Sequence, residues 1–363
     1  MTMTESAVYT PHLAGKKVLL TGGTGFVGRH LLPQLLEAGA QVTCLTRAAS
    51  RTGHLPAGVE TVQADLSTGQ GLAEALHGKD VVIHMAALLF GLGWQDYLRA
   101  NALAARSMAS AITSLARAGN LGADFRFVLV SSLAATGPCG TAPGVDDATP
   151  PAPVSAYGWS KMLTEQVLGR ALGQSLVTLR PPIIYGSGDK GLLPVFQGVM
   201  RAHVAVSPGA GREFPVSAVH ADDMAQAVLC ACKPEASGVY HLSDGEAYTM
   251  SGFCRVMGAA VDKALGRAPR NVCVVRMPLP VMACTAGLST AFAVAADAVS
   301  RRLLGRGLRR APAWNLDKYR EARQAGWLCD NSRICCELGF APRVSLEAGM
   351  TEAIDGYRRE GWL

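Results

Sequence analysis

The sequence predicts an α/β protein built on a doubly wound parallel sheet, with a smaller, mostly helical lobe towards the C-terminus. Short apolar runs typical of strands alternate with helical patterns in the first half of the chain, as they do where helices connect parallel strands. The six predicted strands span residues 16–21, 41–46, 59–63, 80–84, 126–131 and 175–180. After about residue 181 the regular alternation ends, which marks the start of the second lobe.

A glycine-rich turn follows the first predicted strand. Gly22, Gly25 and Gly28 are spaced three apart, and the amphipathic pattern that begins at Phe26 ends at Gly39. Glycine permits backbone angles that a Cβ would forbid, and it lets main-chain N–H groups approach a diphosphate at the positive end of the new helix. A strand, a tight turn and a helix in this order predict a Rossmann-type dinucleotide site close to the N-terminus.

Length and composition indicate a well-buried protein of more than one lobe. The chain has 363 residues, of which 49% are hydrophobic and 17% are charged, and its formal net charge is +6. This composition argues against disorder, and without an aromatic-interleaved basic patch the charge does not indicate a nucleic-acid partner. We therefore expect a globular protein that does not bind nucleic acid.

The ten cysteines are scattered along the chain. Cys230 and Cys232, like Cys335 and Cys336, are too close together to form useful metal-ligand pairs, and the chain has no C-x-x-C motif. No metal site is predicted. Because residues 1–14 lack the pattern of a signal peptide, we expect reduced thiols and a cytoplasmic location.

The two predicted domains interleave in sequence. We expect the dinucleotide-binding domain to comprise residues 15–180, with residues 212–245 returning to its sheet. Residues 181–211 and 246–363 would then form the substrate-binding lobe. Residues 137–155 form a loop rich in proline and glycine that is long enough to be functional or mobile.

An uncharged apolar segment, residues 277–296, precedes five arginines at positions 301, 302, 306, 309 and 310. Twenty apolar residues with a basic flank are similar to a membrane segment, although Pro278 and Pro280 shorten the helical part. We expect a buried helix or a helix that covers a pocket. Peripheral membrane contact through residues 277–310 and a true membrane span are the two alternatives.

Three residues form a candidate catalytic group. Ser132 ends the fifth predicted strand, and Tyr157 and Lys161 lie four residues apart in the next helical stretch, which places them on one helix face. An ammonium beside a phenol favours the phenolate, so the pKa of Tyr157 would fall from about 10 towards neutrality and make it a usable general acid/base. The Ser132 hydroxyl can hold a substrate oxygen beside it. The alternative is that Tyr157 and Lys161 lie on a solvated helix face by chance and have no catalytic role.

These motifs resemble those of the extended short-chain dehydrogenase/reductases, the family of sugar-nucleotide epimerases, 3β-hydroxysteroid dehydrogenases and dihydroflavonol reductases. The matching motifs follow the family's order at residues 21–28, 65–66, 84–87, 101, 130–132, 157–161, 180–186 and 219–225. The segments 327–330 and 338–342 match the family's closing segment more loosely. The motifs are specific for the superfamily and poorly specific for substrate.

The resemblance implies a role for each residue of the catalytic group. Tyr157 would be the general acid/base, and Lys161 would lower its pKa and bind the nicotinamide ribose. Ser132, rather than the neighbouring Ser131, would orient the substrate carbonyl or alcohol.

The resemblance also implies a cofactor site along the ends of the strands. Asp65 and Leu66 would flank the adenine, and Ala86 would line the path of the ribose. Asn101 would be structural or relay-like, and residues 222–223 would pin the second lobe to the sheet. The expected cofactor contacts are Thr21, Gly22, Gly25, Phe26, Val27, Gly28, Arg47, Arg51, Asp65, Leu66, Ala86, Ala87, Tyr157, Lys161, Pro181 and Ile183.

The residues after the second predicted strand bear on the choice of cofactor. The strand is followed by Arg47 and Arg51, with no acidic residue nearby. A site that prefers NAD carries an Asp or Glu about 20 residues after the glycines, whereas NADP sites carry an arginine there, and a guanidinium can bind a 2′-phosphate in bidentate fashion. We expect NADP(H), with NAD as the alternative if Arg47 only stacks on the adenine.

The predicted substrate is a small hydrophobic molecule. Sugar-nucleotide members of the family usually have an asparagine where this chain has Ile184, and residues 88–94 and 277–296 would suit an apolar pocket. We expect hydride transfer between NADP(H) and a ketone or secondary alcohol, catalysed by a homodimer. An NAD-dependent nucleotide-sugar epimerase or dehydratase is the first alternative, because Arg212 could meet a phosphate. A non-catalytic dinucleotide-binding protein is the second.

Overall fold

The structure is a computed structural model that describes residues 10–48, 50, 52–209, 212–305, 307 and 311–363. Its strands are β1 (Lys17–Thr21), β2 (Gln41–Thr46), β3 (Glu60–Gln63), β4 (Val81–His84), β5 (Arg126–Val130), β6 (Leu176–Arg180), β7 (Ile183–Tyr185), β8 (Val204–Pro208), β9 (Pro215–Val216), β10 (Ala218–His220), β11 (Gly238–His241), β12 (Tyr248–Thr249) and β13 (Cys273–Met277). Its α-helices are α1 (Phe26–Glu37), α2 (Leu72–Leu76), α3 (Trp94–Tyr97), α4 (Ala104–Arg117), α5 (Leu133–Thr136), α6 (Ala156–Leu172), α7 (Leu193–Ala202), α8 (Ala221–Ala231), α9 (Met250–Ala264), α10 (Leu279–Leu304), α11 (Leu316–Ala322), α12 (Ser332–Leu338) and α13 (Leu346–Arg359). A π-helical segment, Leu98–Leu103, joins α3 to α4.

Seven parallel strands form the central sheet, in the order β11-β6-β5-β4-β1-β2-β3. Six of them coincide, to within one residue at either end, with the six predicted strands, so the predicted doubly wound α/β fold is confirmed. The seventh, β11, is not among the predicted strands. The strand order reverses between β1 and β4, and ligands of such sheets bind beyond the carboxyl ends of the strands at this switch point.

Apolar layers cover both faces of the sheet. Leu19 and Leu20 are adjacent in β1 and both fully buried, because successive side chains of a strand point to opposite faces. Leu20 belongs to the core that contains Leu31 of α1, whereas Leu19 belongs to the core that contains Met108 of α4. This two-sided burial explains why the central strands β1, β4 and β5 are nearly continuous apolar runs.

A third core lies outside the central sheet. It contains Phe196 of α7, Phe253 of α9 and Tyr357 of α13. Three small two-stranded sheets accompany it, formed by β7 with β10, β8 with β13, and β9 with β12. These elements come from both sides of β11 in sequence, so the second group of elements is assembled from separate stretches of the chain.

The loop of residues 137–155 is held by the closing part of the chain. The Val145 N–H donates to the Leu328 carbonyl at 3.0 Å, and the Leu328 N–H donates to the Cys139 carbonyl at 2.9 Å. Asp147 accepts hydrogen bonds from the backbone N–H and the ring Nδ1 of His241, both at 2.6 Å. The loop is thereby fastened at several points.

The apolar segment after residue 277 forms α10, and the expectation that this helix is buried is wrong. Of the part of α10 that is apolar enough to cross a membrane, only 17% is buried. Leu288 and Phe292 are 73% and 78% exposed. The sequence shows the apolar composition of this segment but not what packs against it.

Candidate active site

A cleft of about 1080 Å³ lies along the carboxyl ends of the central strands. The predicted site residues that line it are Thr21, Gly22, Gly25, Phe26, Val27, Gly28, Arg47, Asp65, Leu66, Ala86, Ala87, Ser132, Tyr157, Lys161, Pro181 and Ile183. Arg51 lies outside the described residues. Thus the structure brings the described members of the predicted catalytic and cofactor-binding groups into one cleft.

The glycine turn between β1 and α1 fits a dinucleotide. Gly22 has a φ of +81°, and a Cβ there would lie 2.9 Å from the Ala86 nitrogen. A Cβ on Gly28 would collide with the backbone of Gly23, so glycine is needed where α1 meets the turn. Gly25 is the N-cap of α1 and has no side chain to cap the helix, which leaves the first N–H groups of α1 to an external acceptor such as a phosphate.

A buried hydrogen-bond network joins β1 to β4 beneath this turn. The Thr21 hydroxyl oxygen accepts from the Ala86 N–H at 3.2 Å and lies 2.7 Å from Nδ1 of His84. Burial of His84, assisted by the charge of Lys161, lowers the pKa of its imidazole to about 3. The neutral ring can accept a hydrogen bond from the Thr21 hydroxyl at Nδ1. The network therefore fixes the ends of β1 and β4 at the switch point.

Arg47 and Asp65 lie at the end of the cleft formed by β2 and β3. Asp65 accepts from the Ser67 N–H at 2.7 Å and from the Ser67 hydroxyl at 2.6 Å. These bonds lower the pKa of Asp65, and the Arg47 guanidinium contributes in the same direction. The site therefore offers a cation beside an ionised carboxylate.

The two serines after β5 differ in their partners. Ser131 donates its hydroxyl to Glu165, which also pairs with Arg180. Ser132 is the N-cap of α5, and its Oγ accepts from the Ala134 N–H at 3.2 Å. Its hydroxyl proton is not used in that bond, so Ser132 can donate to a substrate oxygen, in line with the preference for it over Ser131.

Lys161 is buried and bonds to the sheet. Its side chain crosses to β5, where Nζ donates to the Val130 carbonyl at 2.8 Å. The residue is 3% exposed, and burial lowers the pKa of its ammonium to about 8, against the influence of Glu165. Thus Lys161 is held in place before any ligand binds.

The pKa of Tyr157 differs from the expectation. Burial raises the pKa of this phenol, and Lys318 and the Ser132 hydroxyl oppose the rise. The prediction that Lys161 brings this pKa towards neutrality is wrong for the protein in this state. The physical reason is that burial disfavours a phenolate more strongly than the surrounding groups stabilise it.

Helix α11 holds the N-terminus of α6, and the sequence analysis missed this helix. Asp317 accepts hydrogen bonds from the N–H groups of Ala156 at 2.6 Å and Tyr157 at 3.2 Å. Glu321 accepts from the Ser155 hydroxyl at 2.7 Å. Carboxylates suit a helix N-terminus because they satisfy its free N–H groups. Helix α11 therefore positions the helix that carries Tyr157 and Lys161.

Lys318 is a further site residue without a sequence signal. Its Nζ lies 4.7 Å from the centroid of the Tyr157 ring and 2.9 Å from a carboxylate oxygen of Glu321. Burial disfavours the charge on Lys318, but the ion pair with Glu321 outweighs this effect and raises the pKa of the ammonium. A stable cation thus faces the candidate acid/base.

Three other polar residues have structural partners. Asn101 is bonded to both backbone groups of Leu88 and donates to the Ser160 hydroxyl at 2.9 Å, which ties the segment after β4 to α6. Asp223 accepts from the N–H groups of residues 343 and 344, each at 3.0 Å. Asp222 pairs with His30 at 2.6 Å. No group of three or more metal-ligating side chains occurs within the described ranges.

Comparison with known proteins identifies the class. The model of the NAD dependent epimerase/dehydratase family matches residues 18–243. The ceramide reductase of Caulobacter vibrioides is 33% identical over 350 residues, which cover 95% of this chain and 96% of that protein. The chain belongs to the NAD-dependent epimerase/dehydratase family, whose members are the extended short-chain dehydrogenase/reductases, and it is an NAD(P)-dependent oxidoreductase.

Two further proteins extend the comparison. The 4-hydroxy-2-methyl-3-oxo-4-farnesyl-3,4-dihydroquinoline-1-oxide ketoreductase of Stigmatella aurantiaca is 27% identical over 354 residues, covering 95% of this chain and 96% of that protein. The solved structure of MoeE5 in complex with UDP-glucuronic acid and NAD is 21% identical, with a TM-score of 0.68, and the match covers 95% of this chain and 99% of that one. At this identity the structural match shows the fold alone.

Proposed function

We propose that the protein is an NADP(H)-dependent reductase that acts on a ketone carried by a long-chain, lipid-like molecule, and that it also catalyses the reverse oxidation. One observation carries the proposal: Ser132, Tyr157 and Lys161 line the same cleft as the glycine turn of β1 and α1. The activities of two relatives, as their names give them, support a hydrophobic substrate for this protein. One is a ceramide reductase and the other a ketoreductase for a farnesyl-bearing quinoline.

Each member of the catalytic group has a distinct task in this proposal. The nicotinamide, when bound, supplies a hydride to the carbonyl carbon. The Ser132 hydroxyl holds the carbonyl oxygen, and the Tyr157 hydroxyl gives its proton to that oxygen as negative charge develops there. Because burial raises the pKa of Tyr157, the residue carries its proton at neutral pH, which suits the direction of reduction.

The wall of the cleft favours an apolar substrate. Near the catalytic group its lining includes Leu88, Phe214, Val216, Met250 and Trp327. Such a lining can bury an alkyl chain, whereas a sugar nucleotide needs donors and cations around its diphosphate. Arg212, the residue expected to meet a phosphate in the epimerase alternative, does not line this cleft.

The preference for NADP(H) depends on Arg47. Arg47 follows β2 and lines the cleft, at the position where Rossmann sites distinguish a 2′-phosphate from a 2′-hydroxyl. A carboxylate at this position would repel the phosphate, whereas a guanidinium attracts it.

The test compares two substrate classes with the purified full chain. Oxidation of NADPH is followed after addition of a ceramide-class lipid that carries a ketone, and conversion of UDP-glucose is followed by sugar analysis. The proposal predicts NADPH oxidation with the lipid and a reduced lipid product, both of which disappear in Tyr157→Phe. Conversion of the UDP-sugar with no net NADPH oxidation would refute it in favour of an epimerase.

A further inference from the structure

Helix α10 is fastened to the protein along one side only. Its inner side contains Met282, Ala286 and Ala293, which are 5%, 0% and 4% exposed. The Ser289 hydroxyl donates to the Trp314 carbonyl at 2.8 Å, and the Leu316 N–H donates to the Thr290 hydroxyl at 3.0 Å. With 26 residues, the helix is about 39 Å long. It is therefore a long rod that lies against the body of the protein.

The outer side of α10 is apolar and open. Val281, Leu288, Phe292, Val299 and Leu303 are 47%, 73%, 78%, 55% and 75% exposed. Their spacings of seven, four, seven and four residues place them on one face of the helix. The outer face of a surface helix is normally charged or polar, so a contiguous row of exposed apolar side chains indicates an interaction site.

The C-terminal end of α10 is basic. Arg301 and Arg302 are exposed there, and the sequence continues with arginines at 306, 309 and 310, which lie outside the described residues. The single acidic residue from 279 to 310 is Asp297, whose side chain is 14% exposed and pairs with Arg301 at 2.6 Å. The excess of cationic charge next to the apolar face complements an anionic lipid surface.

Trp94 and Leu316, which are 41% and 38% exposed, line a small cavity together with Thr290 on the inner side of α10. The outer face combines an aromatic residue, Phe292, with aliphatic residues and lies beside the exposed Arg301 and Arg302. This combination of aromatic, aliphatic and basic groups is typical of a helix that lies at a lipid interface.

From these observations we infer that α10 docks the protein onto an anionic lipid bilayer. The helix lies in the plane of the interface, with Leu288 and Phe292 inserted among the acyl chains and Arg301 and Arg302 at the level of the phosphates. A membrane-spanning α10 would instead require Met282 and Ala286 to leave their contacts with the protein.

The docked helix lies close to the active-site cleft. Helix α11 is bonded to α10 through Thr290, and the Trp314 indole donates to the Thr285 hydroxyl at 3.1 Å. Lys318 and Glu321 of the same α11 line the cleft. Docking through α10 would therefore bring the cleft near the bilayer, where a lipid substrate resides. The docking itself does not depend on the proposed reaction.

Flotation with vesicles tests the inference and needs no turnover. The full chain is centrifuged at physiological salt with vesicles of phosphatidylcholine and phosphatidylglycerol, and with vesicles of phosphatidylcholine alone. We expect co-flotation with the anionic vesicles and much less with the neutral ones. Leu288→Gln combined with Phe292→Gln should abolish co-flotation. Arg301→Gln combined with Arg302→Gln should weaken the preference for anionic lipid.

Two controls separate docking from misfolding. Leu103→Gln changes an exposed apolar residue, 42% exposed, on the π-helical segment, and should float like the unchanged protein. NADPH binding by all variants reports an intact fold. The inference is overturned if the unchanged protein stays at the bottom of the gradient, or if the Leu288/Phe292 variant still floats. A dimer by light scattering that dissociates in that variant, without flotation of the parent, would assign the face to a second copy of the chain instead.

Discussion

The ammonium of Lys318 lies 4.7 Å from the centroid of the Tyr157 ring. This contact depends on α11, because Asp317 and Glu321 on either side of Lys318 bond to the first residues of α6. The same turn of helix thus positions the tyrosine and places a cation beside it. Lys161 of the same α6 is bonded instead to the Val130 carbonyl of β5, so the cation at the Tyr157 ring comes from α11, a part of the chain distant in sequence.

Removal of the Lys318 charge should change the pH dependence of the reaction. Lys318 opposes the burial-induced rise in the pKa of Tyr157, so Lys318→Met should raise that pKa further. Oxidation of the alcohol requires the phenolate, and the lower limb of its pH–rate profile should therefore move to higher pH. The measurement is kcat/KM for oxidation as a function of pH.

Two variants accompany this experiment. Lys318→Arg keeps the charge and should retain the parental profile, whereas a structural role of the lysine stem would not be rescued in this way. Arg323→Met removes an exposed charge at the C-terminal end of α11 and should have no effect on the profile. An unshifted profile in Lys318→Met would show that the lysine does not tune the tyrosine.

Tyr157→Phe should lose most of the turnover while it still binds NADPH. The variant lacks the hydroxyl that donates the proton, and removal of a general acid/base typically costs about 10²–10⁴-fold in rate. Tyr97→Phe is the matched control, since the two rings are 6.1 Å apart and Tyr97 is fully buried. The measurements are kcat and the Kd for NADPH. Near-parental turnover in Tyr157→Phe would rule out the proposed mechanism.

The buried ammonium of Lys161 should destabilise the cofactor-free protein at neutral pH. Its pKa falls from 10.5 to about 8 on burial, so between these values the unfolded chain binds more protons than the native state and stability rises with pH. Below about pH 8 the native Lys161 is charged, and its burial lowers the free energy of unfolding by the full amount. Lys161→Met should therefore raise the free energy of unfolding at neutral pH by about 2 kcal/mol, although turnover is lost.

Denaturant unfolding at several pH values checks this expectation. The gain in Lys161→Met should shrink as the pH approaches about 10, where the native lysine is neutral as well. Lys263→Met, which removes an exposed lysine of α9, should show no such trend. A Lys161→Met variant that is less stable than the parent at neutral pH would contradict the argument.

The sequence predicts the strands and the strand-end residues well because their signals are local. Apolar runs that alternate with helical patterns predict β1 to β6. Because the carboxyl ends of parallel strands meet at one edge of the sheet, Thr21, Ala86 and Ser132 could be expected in one site. Strand β11 is harder to predict, because its four residues, Gly238–His241, begin with a glycine, a residue that is depleted in strands.

The placement of α10 and α11 depends on tertiary contacts. Helix α10 is apolar on both its buried and its exposed side, so composition alone does not tell which side meets the protein. Asp317 and Lys318 are ordinary helix residues by sequence, and their proximity to Tyr157 arises only when α11 packs at the start of α6. The direction of the Tyr157 pKa shift likewise depends on burial, which spacing does not reveal.

Arg47 should determine the preference between the two nicotinamide cofactors. If its guanidinium binds the 2′-phosphate, loss of that charged hydrogen bond costs about 1.5–3 kcal/mol, and Arg47→Gln should weaken NADPH binding by about 10- to 100-fold. Binding of NADH should change little, because a 2′-hydroxyl does not require the charge. Arg117→Gln, an exposed arginine at the end of α4, controls for the change in net charge. Fluorescence titration gives both dissociation constants, and equal values for NADPH and NADH in the unchanged protein would remove the basis for the preference.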